Sequence, residues 1–231
     1  MQQLPLNVRL AEHAVFESFH AGPNEAAIAC LREAAAGAGP RFTWLWGPGS
    51  SGRSHLLQAA VTAAHALGRP SIFLPMAQRA SLDPAMLDGL ETASLVAVDD
   101  IDAIAGDGAW EPAMLLLYER IVASAGRLVM SSILPPARSG FRLPDLASRL
   151  STAAVYQLVQ GGDEQLLRAL QKRAAWLGLE LPDVTGRFLL TRVERDMAAL
   201  CRELERLDRE ALAAQRRLTV PFVSEVLGSA D

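Results

Sequence analysis

The sequence has few of the residues and segments that mark secreted, metal-binding or membrane proteins. Only two cysteines occur in 231 residues, Cys30 and Cys201. They lie far apart in helical patterns, so they predict buried, inert thiols and no disulfide framework. The four histidines show no metal-ligand spacing. No apolar run reaches membrane length, and no signal peptide or lipidation motif is recognisable. We therefore expect a cytoplasmic protein without a membrane partner.

An excess of basic residues is also missing. Lysine and arginine total 22 against 26 aspartate and glutamate, which gives a net charge of −4 and a pI near 5.6. Dedicated nucleic-acid-binding domains usually have the opposite balance, although a local basic face stays compatible with these numbers. Half of the residues are apolar. At this length they predict a globular protein with one large core, or with a core and a small satellite domain.

The stretch from Trp44 to Leu57 is typical of a buried strand, a glycine-rich turn and the start of a helix. It fits the phosphate-loop pattern G-x-x-x-x-G-K-[ST], with Arg53 in the lysine position. Its three glycines can take positive φ and leave no Cβ in the way, so several backbone N–H groups can converge on a phosphate at the helix N-terminus. The nucleotide-binding candidates are Gly47, Pro48, Gly49, Ser50, Ser51, Gly52, Arg53, Ser54 and His55.

Two side chains of this loop have specific expected roles. Ser54 would offer its hydroxyl to Mg²⁺, and Arg53 would place a cation near the outer phosphates. Because guanidinium is bulkier than ammonium and forked, we expect binding to survive the replacement and efficient hydrolysis to suffer. A plain glycine-rich turn from strand to helix is the alternative.

The segment Ser94–Asp100 is an apolar run that ends in two carboxylates. In a phosphate-loop protein we expect such a strand to lie beside the loop strand, with its terminal acids at the Mg²⁺ site. Asp99 would then hold the metal through water, and Asp100 would orient or deprotonate the attacking water. A buried strand that ends in an acidic turn is the alternative.

Strand and helix patterns alternate as far as residue 160 and predict an α/β fold, a parallel five-stranded sheet covered on both faces. Beyond Gly161-Gly162 the pattern is all helix, so we expect a small helical domain over residues 161–231 after an α/β domain over residues 13–160. The mixed charges of Arg202–Arg209 predict a solvated helix face. The expected strands are 42–46, 71–75, 94–100, 127–132 and 153–158, and the main helices 25–36, 54–67, 110–124, 143–150, 163–177, 183–191, 193–216 and 221–227.

The first twelve residues form a third segment. Pro5 excludes an ordinary helix or a central strand there. Gln3 beside Leu4 and Leu6 has the form of a short docking peptide, and a frayed terminus is the alternative.

Together these features resemble the AAA+ ATPases and, within them, the DnaA initiator clade, most closely a DnaA-related regulator of initiation. The resemblance covers nearly the whole chain, and arginine at the lysine position of the loop fits it. The segments that carry it are Gln3–Leu6, Phe16–Phe19, Gly52–Leu57, Leu95–Asp100, Ile104–Gly106, Leu143–Leu150, Gly186–Phe188 and Gln215–Phe222.

The resemblance implies roles for particular residues. The loop would hold ADP or ATP with Mg²⁺. Arg149 would be an arginine finger that reaches a nucleotide on a neighbouring DnaA subunit, and Arg195 the sensor arginine of a helical lid, in contact with the phosphates of the chain's own nucleotide. An ion pair at the surface is the alternative for either arginine. The peptide that would bind the sliding clamp (the β subunit of DNA polymerase III) consists of Gln3, Leu4, Pro5 and Leu6.

The resemblance also implies the biological activity. Such a protein would dock on the DNA-loaded clamp, meet DNA only through it, and stimulate hydrolysis of DnaA-bound ATP, which negatively regulates initiation. A self-standing ATPase of the initiator or helicase-loader type and a nucleotide-gated adaptor without a catalytic arginine are the rival readings. Ile133 and Leu134, where DnaA places a polar sensor, argue against hydrolysis by the chain itself, whereas Asp99-Asp100 argues for it. The oligomeric state, a homo-oligomer included, stays open.

Overall fold

A computed structural model of the chain describes residues 14–194 and 196–228. The chain divides into two compact units. The first, the base unit, contains residues 14–16 and the stretch from Pro23 to Val159. The second, the helical unit, contains Glu17–Gly22 and continues from Gln160.

The base unit is built on a parallel sheet of five strands in the order β2-β3-β4-β1-β5. The central strands are buried on both faces, which explains why they read as continuous apolar runs and not as alternating patterns. The strands β1 to β5 are Phe42–Trp46, Ser71–Pro75, Leu95–Asp99, Arg127–Ser132 and Ala154–Gln157.

The strand order corrects one expectation. The acid-tipped strand β3 was expected beside the loop strand β1, but β4 lies between them. In the register, Trp46 of β1 faces Ser132 of β4, and Val98 of β3 faces Met130 of β4. The end of β4 therefore lies between the glycine-rich loop and the Asp-Asp pair. Strand order could not be read from the sequence because it depends on packing between segments far apart in the chain.

Four helices belong to the base unit, and each begins and ends for local reasons. For example, α2 begins directly after Gly52. It ends two residues before Gly68, whose left-handed backbone (φ 69°) closes the last turn. The helices α1 to α4 are Glu25–Ala35, Arg53–Ala66, Trp110–Ala123 and Pro144–Leu150. None of the described helices of the chain is long and apolar enough to cross a membrane.

The helical unit packs four helices around a core made mostly of leucine. Its long helix begins four residues later than expected, where Asp196 caps it by accepting the N–H of Ala199 at 2.9 Å. The helices α5 to α8 are Asp163–Trp176, Asp183–Arg192, Met197–Ala214 and Val220–Gly228.

The charge run on α7 is only partly a solvated face. Arg202 and Arg209 are exposed, as expected. Glu205 accepts a hydrogen bond from the buried Arg173 of α5 at 2.7 Å, and Arg206 donates to the carbonyl of Val226 at 2.9 Å. For these two residues the expectation of solvation is wrong, because both hold neighbouring helices of the unit together.

Candidate functional site

The glycine-rich loop connects β1 to α2 at the carboxyl edge of the sheet. Residues Gly49–Ser51 form a single 3₁₀ turn, in which the N–H of Ser51 donates to the carbonyl of Pro48 at 3.0 Å. Gly52 follows in the left-handed region (φ 86°), and α2 begins at the next residue. Because Pro48 and Gly49 are exposed, backbone of the loop is open to a ligand beside the positive end of a helix.

The three glycines of the loop serve different purposes. Only Gly52 has positive φ. A Cβ on Gly47 would lie 2.5 Å from the carbonyl oxygen of Leu158 and 3.0 Å from Oγ of Ser51, whereas a Cβ on Gly49 would meet nothing within 4 Å. Gly47 is thus required by close packing against the segment after β5, and Gly49 leaves room above the loop.

This difference gives a matched pair of variants. Gly47→Ala is expected to destabilise the protein by about 1–3 kcal/mol, because a backbone oxygen cannot move aside cheaply. Gly49→Ala, which adds the same methyl group into open space, should leave the free energy of unfolding nearly unchanged. Urea denaturation followed by tryptophan fluorescence measures both, and equal stabilities for the two variants would contradict the assigned packing role.

Arg53 is buried at the start of α2, with 5% of its surface exposed. Its Nη2 donates to Oδ1 of Asp100 at 3.0 Å, while its Nε and Nη1 are buried without a hydrogen-bond partner in the described structure. A buried guanidinium that lacks acceptors is costly. An anion with several oxygens beside the loop would supply the missing acceptors, and a phosphate group has that chemistry.

Asp99 and Asp100 are connected through β4. Oγ of Ser131 donates to Oδ1 of Asp99 at 2.5 Å and accepts the backbone N–H of Asp100 at 2.9 Å. Asp100 itself has a left-handed backbone, with φ 50°. Burial raises the pKa of the Asp100 carboxyl, the negative charges of Asp99 and Asp102 act in the same direction, and the Arg53 guanidinium opposes them.

The remaining loop residues lie as follows. Ser54 is half-buried in the first turn of α2. A ring nitrogen of His55 lies 3.0 Å from the carbonyl oxygen of Val15, which ties the start of the described chain to this helix. The hydroxyl of Ser54 and the carboxylate of Asp99 are hard oxygen donors, so they fit Mg²⁺ when phosphate oxygens complete its coordination.

Arg149 lies in the last turn of α4, away from the glycine-rich loop in sequence. Leu146 and Leu150 of the same helix are buried and anchor it. The side chain of Arg149 is 43% exposed, and its Nη2 donates to Oε1 of Glu119 on α3 at 2.8 Å. This pair is open to solvent on both sides, since the side chain of Glu119 is 47% exposed.

Known proteins share this fold. Residues 163–227 match the family model of the Hda lid domain. Domain III of the replication initiation protein DnaA from Thermotoga maritima superposes with a TM-score of 0.79 at 17% identity, over 96% of this chain and 98% of that one. The chain therefore carries a segment that matches the Hda lid domain and has the fold of DnaA domain III. The expected fold class and the family resemblance are confirmed.

Two further structures have a similar fold. AMPPCP-bound DnaA from Aquifex aeolicus matches with a TM-score of 0.68 at 16% identity, over 83% of this chain and 63% of that one. The RuvB Holliday junction branch migration motor of Thermotoga maritima matches with a TM-score of 0.66 at 15% identity, over 90% and 67% of the two chains. At these identities the likeness establishes the fold, and the functional residues have to be argued from this chain's own geometry.

A buried glutamate that the sequence reading missed positions the helix of Arg149. Glu111 is 3% exposed, and its carboxylate accepts the backbone N–H groups of Gly106 at 2.5 Å, Arg142 at 3.0 Å and Leu143 at 2.6 Å. It thereby joins the start of α3 to the segment that leads into α4. A signal was present: Glu111 stands three residues before Met114, on the face of the helix that its apolar residues predict to be buried.

The role of Ser131 as a partner of the two acids could not be predicted from the sequence, for a different reason. Ser131 lies inside β4, one position before Ser132, and reads as part of a buried strand. Its role depends on the acids of β3, which the sequence does not show to be neighbours of β4. Ile133, which replaces the expected polar sensor, is 52% exposed, so the structure accommodates it at the surface.

Two sets of expected site residues lie outside the described residues. These are the clamp-binding peptide, Gln3, Leu4, Pro5 and Leu6, and the sensor arginine, Arg195. Within the described residues, the structure brings together Arg53, Asp100 and, through Ser131, Asp99.

Proposed function

We propose that this AAA+ protein binds an adenine nucleotide, ADP or ATP, on the loop from Gly47 to His55. Arg53 supports this proposal most directly, because its Nε and Nη1 have no hydrogen-bond partner among the described residues and could donate to an anionic acceptor. The N-terminus of α2, the open space above Gly49 and the left-handed Gly52 favour the same ligand. Ser54 and Asp99 would hold Mg²⁺, which neutralises and bridges phosphate oxygens when bound, and Arg195 would contact the phosphates from the helical unit.

We propose further that the protein acts on a second ATPase. It would dock on the DNA-loaded sliding clamp and stimulate hydrolysis of ATP bound to DnaA, which switches off further initiation. In this arrangement the domains have separate tasks: residues 1–12 bind the clamp, residues 13–160 hold nucleotide and carry the finger, and residues 161–231 form the lid.

The observation that carries this proposal is the exposed guanidinium of Arg149. In hydrolysis of ATP, negative charge develops on the γ-phosphate oxygens, and an arginine supplied by a neighbouring molecule stabilises it. Arg149 can exchange its present partner, Glu119, for a phosphate, because the ion pair between Arg149 and Glu119 is exposed to solvent. Such pairs contribute about 0–1 kcal/mol, so leaving Glu119 for a phosphate costs little.

The alternative hypothesis, that the chain is itself an efficient ATPase, has less support. Asp100, the residue that would activate water, is engaged by Arg53. Ile133 stands where a polar sensor would be needed. We therefore expect the purified chain to bind nucleotide and turn it over slowly, if at all.

The clamp part of the proposal has its own test. In a mixture of ATP-bound DnaA, clamp-loaded DNA and this protein, the double variant Gln3→Ala/Leu4→Ala is expected to stop co-eluting with the clamp and to lose most of the stimulation. The leucine would fill an apolar floor of the clamp and the glutamine would bond its rim. A double variant that still co-elutes with the clamp would show that another surface makes the contact.

A further inference from the structure

We propose that Asp100 is a positioning residue for Arg53: it fixes the guanidinium so that the unpaired nitrogens face a nucleotide phosphate, and thereby raises nucleotide affinity. This inference rests on the proposed nucleotide binding and assigns Asp100 a role other than activation of water. In this role a negatively charged side chain favours the binding of an anion.

The first support is the state of Arg53. Its guanidinium has five N–H donors, and those on Nε and Nη1 have no hydrogen-bond partner among the described residues. A long side chain in such a position would adopt several orientations unless one nitrogen were held. Oδ1 of Asp100 holds Nη2 at 3.0 Å and so selects one of them.

The second support is the rigidity of Asp100. Its backbone N–H is bonded to Oγ of Ser131 at 2.9 Å, and the same hydroxyl is bonded to Asp99 at 2.5 Å. Its left-handed backbone fixes the direction of the side chain as it leaves β3. The backbone that carries this carboxylate follows β3 directly and is bonded to β4, while Arg53 belongs to α2.

A neighbouring acid, Asp102, offers a control for the contact between Asp100 and Arg53. Asp102 stands two residues after Asp100 and is also half-buried. No ion pair joins Asp102 to Arg53 among the described residues. Asp102 is therefore a control that has the charge of Asp100 without its partner.

The test measures ADP affinity by isothermal titration calorimetry on the full chain. Simple Coulomb repulsion predicts that removal of either acid tightens ADP binding. For Asp100 we expect the opposite result, namely that its removal weakens ADP binding.

Asp100→Gly, which suits the positive φ and removes the carboxylate, should weaken ADP binding about tenfold, the equivalent of one charge-assisted hydrogen bond. Asp100→Asn, which keeps an acceptor and tolerates this backbone, should weaken it less. Asp102→Asn should leave the affinity unchanged or slightly higher.

A double-mutant cycle identifies the route of the effect. With Arg53→Ala as background, Asp100→Gly should cause no further loss, because the residue through which Asp100 acts is absent. Circular dichroism of each variant checks folding, and Asp100→Asn carries the test if the glycine variant unfolds. If both Asp100 variants bind ADP as tightly as Asp102→Asn does, or if the losses add in the cycle, the positioning role is wrong. If the wild-type chain binds no ADP at all, the proposed nucleotide site itself fails.

Discussion

Replacement of Arg149 by alanine is expected to abolish the stimulation of DnaA-bound ATP hydrolysis while the chain stays folded and nucleotide-bound. The guanidinium would otherwise neutralise charge on the γ-phosphate in the transition state, an effect worth about 10³-fold or more for arginine fingers. Stability should change little, because the Arg149–Glu119 pair is exposed on both sides. Single-turnover loss of labelled ATP from DnaA, with clamp-loaded DNA present, measures the effect.

Two variants make this result specific. Arg149→Lys keeps the charge but loses the planar fork of donors, so it should restore only a small part of the stimulation. Arg168→Ala removes another exposed arginine, which is paired with Glu164 through an ion pair of 3.2 Å on the helical unit, and should stimulate as the wild type does. An Arg149→Ala protein that matches Arg168→Ala in this assay would exclude Arg149 as the finger.

Glu111→Ala is expected to destabilise the base unit strongly. It leaves the partly buried N–H groups of Gly106, Arg142 and Leu143 without an acceptor. Each unsatisfied buried group costs about 1–3 kcal/mol, so we expect a loss of roughly 3–5 kcal/mol. Urea denaturation can be followed through tryptophan fluorescence, to which Trp44, Trp46 and Trp110 contribute from this unit.

The matched control is Glu119→Ala on the same helix. It removes the same kind of side chain from an exposed position, so the free energy of unfolding should change by less than about 1 kcal/mol. Similar losses for the two variants would mean that the bonds of Glu111 contribute little. Because Glu111 also fixes the segment before α4, Glu111→Gln should reduce stimulation more than it reduces ADP affinity.

The helices and strands could be predicted closely because their signals are local. The runs 42–46, 71–75 and 127–132 were expected as strands and are strands. Apolar runs bounded by glycine and proline require no knowledge of distant neighbours. The start of α7 was placed too early because the capping role of Asp196 overrides the helical pattern before it.

The contacts within the site could not be predicted, since they depend on which strands are neighbours. With β4 between β1 and β3, Ser131 reaches both acids, and Arg53 meets Asp100 across the end of the sheet. The phosphate-loop pattern predicted that Arg53 lies near the outer phosphates, but it gave no sign of the bond from Arg53 to Asp100. This bond shows that the loop arginine and the acid pair form one connected group.

The rate at which DnaA-bound ATP becomes ADP on clamp-loaded DNA, with and without this protein, decides whether the chain activates hydrolysis in a partner. We expect conversion to accelerate strongly when the wild-type chain is added, to stay slow when the clamp is omitted, and to stay slow when the chain is incubated with ATP but without DnaA. An unchanged rate in the complete mixture, with a chain that is folded and binds ADP, would contradict the proposal that this protein activates hydrolysis in a partner.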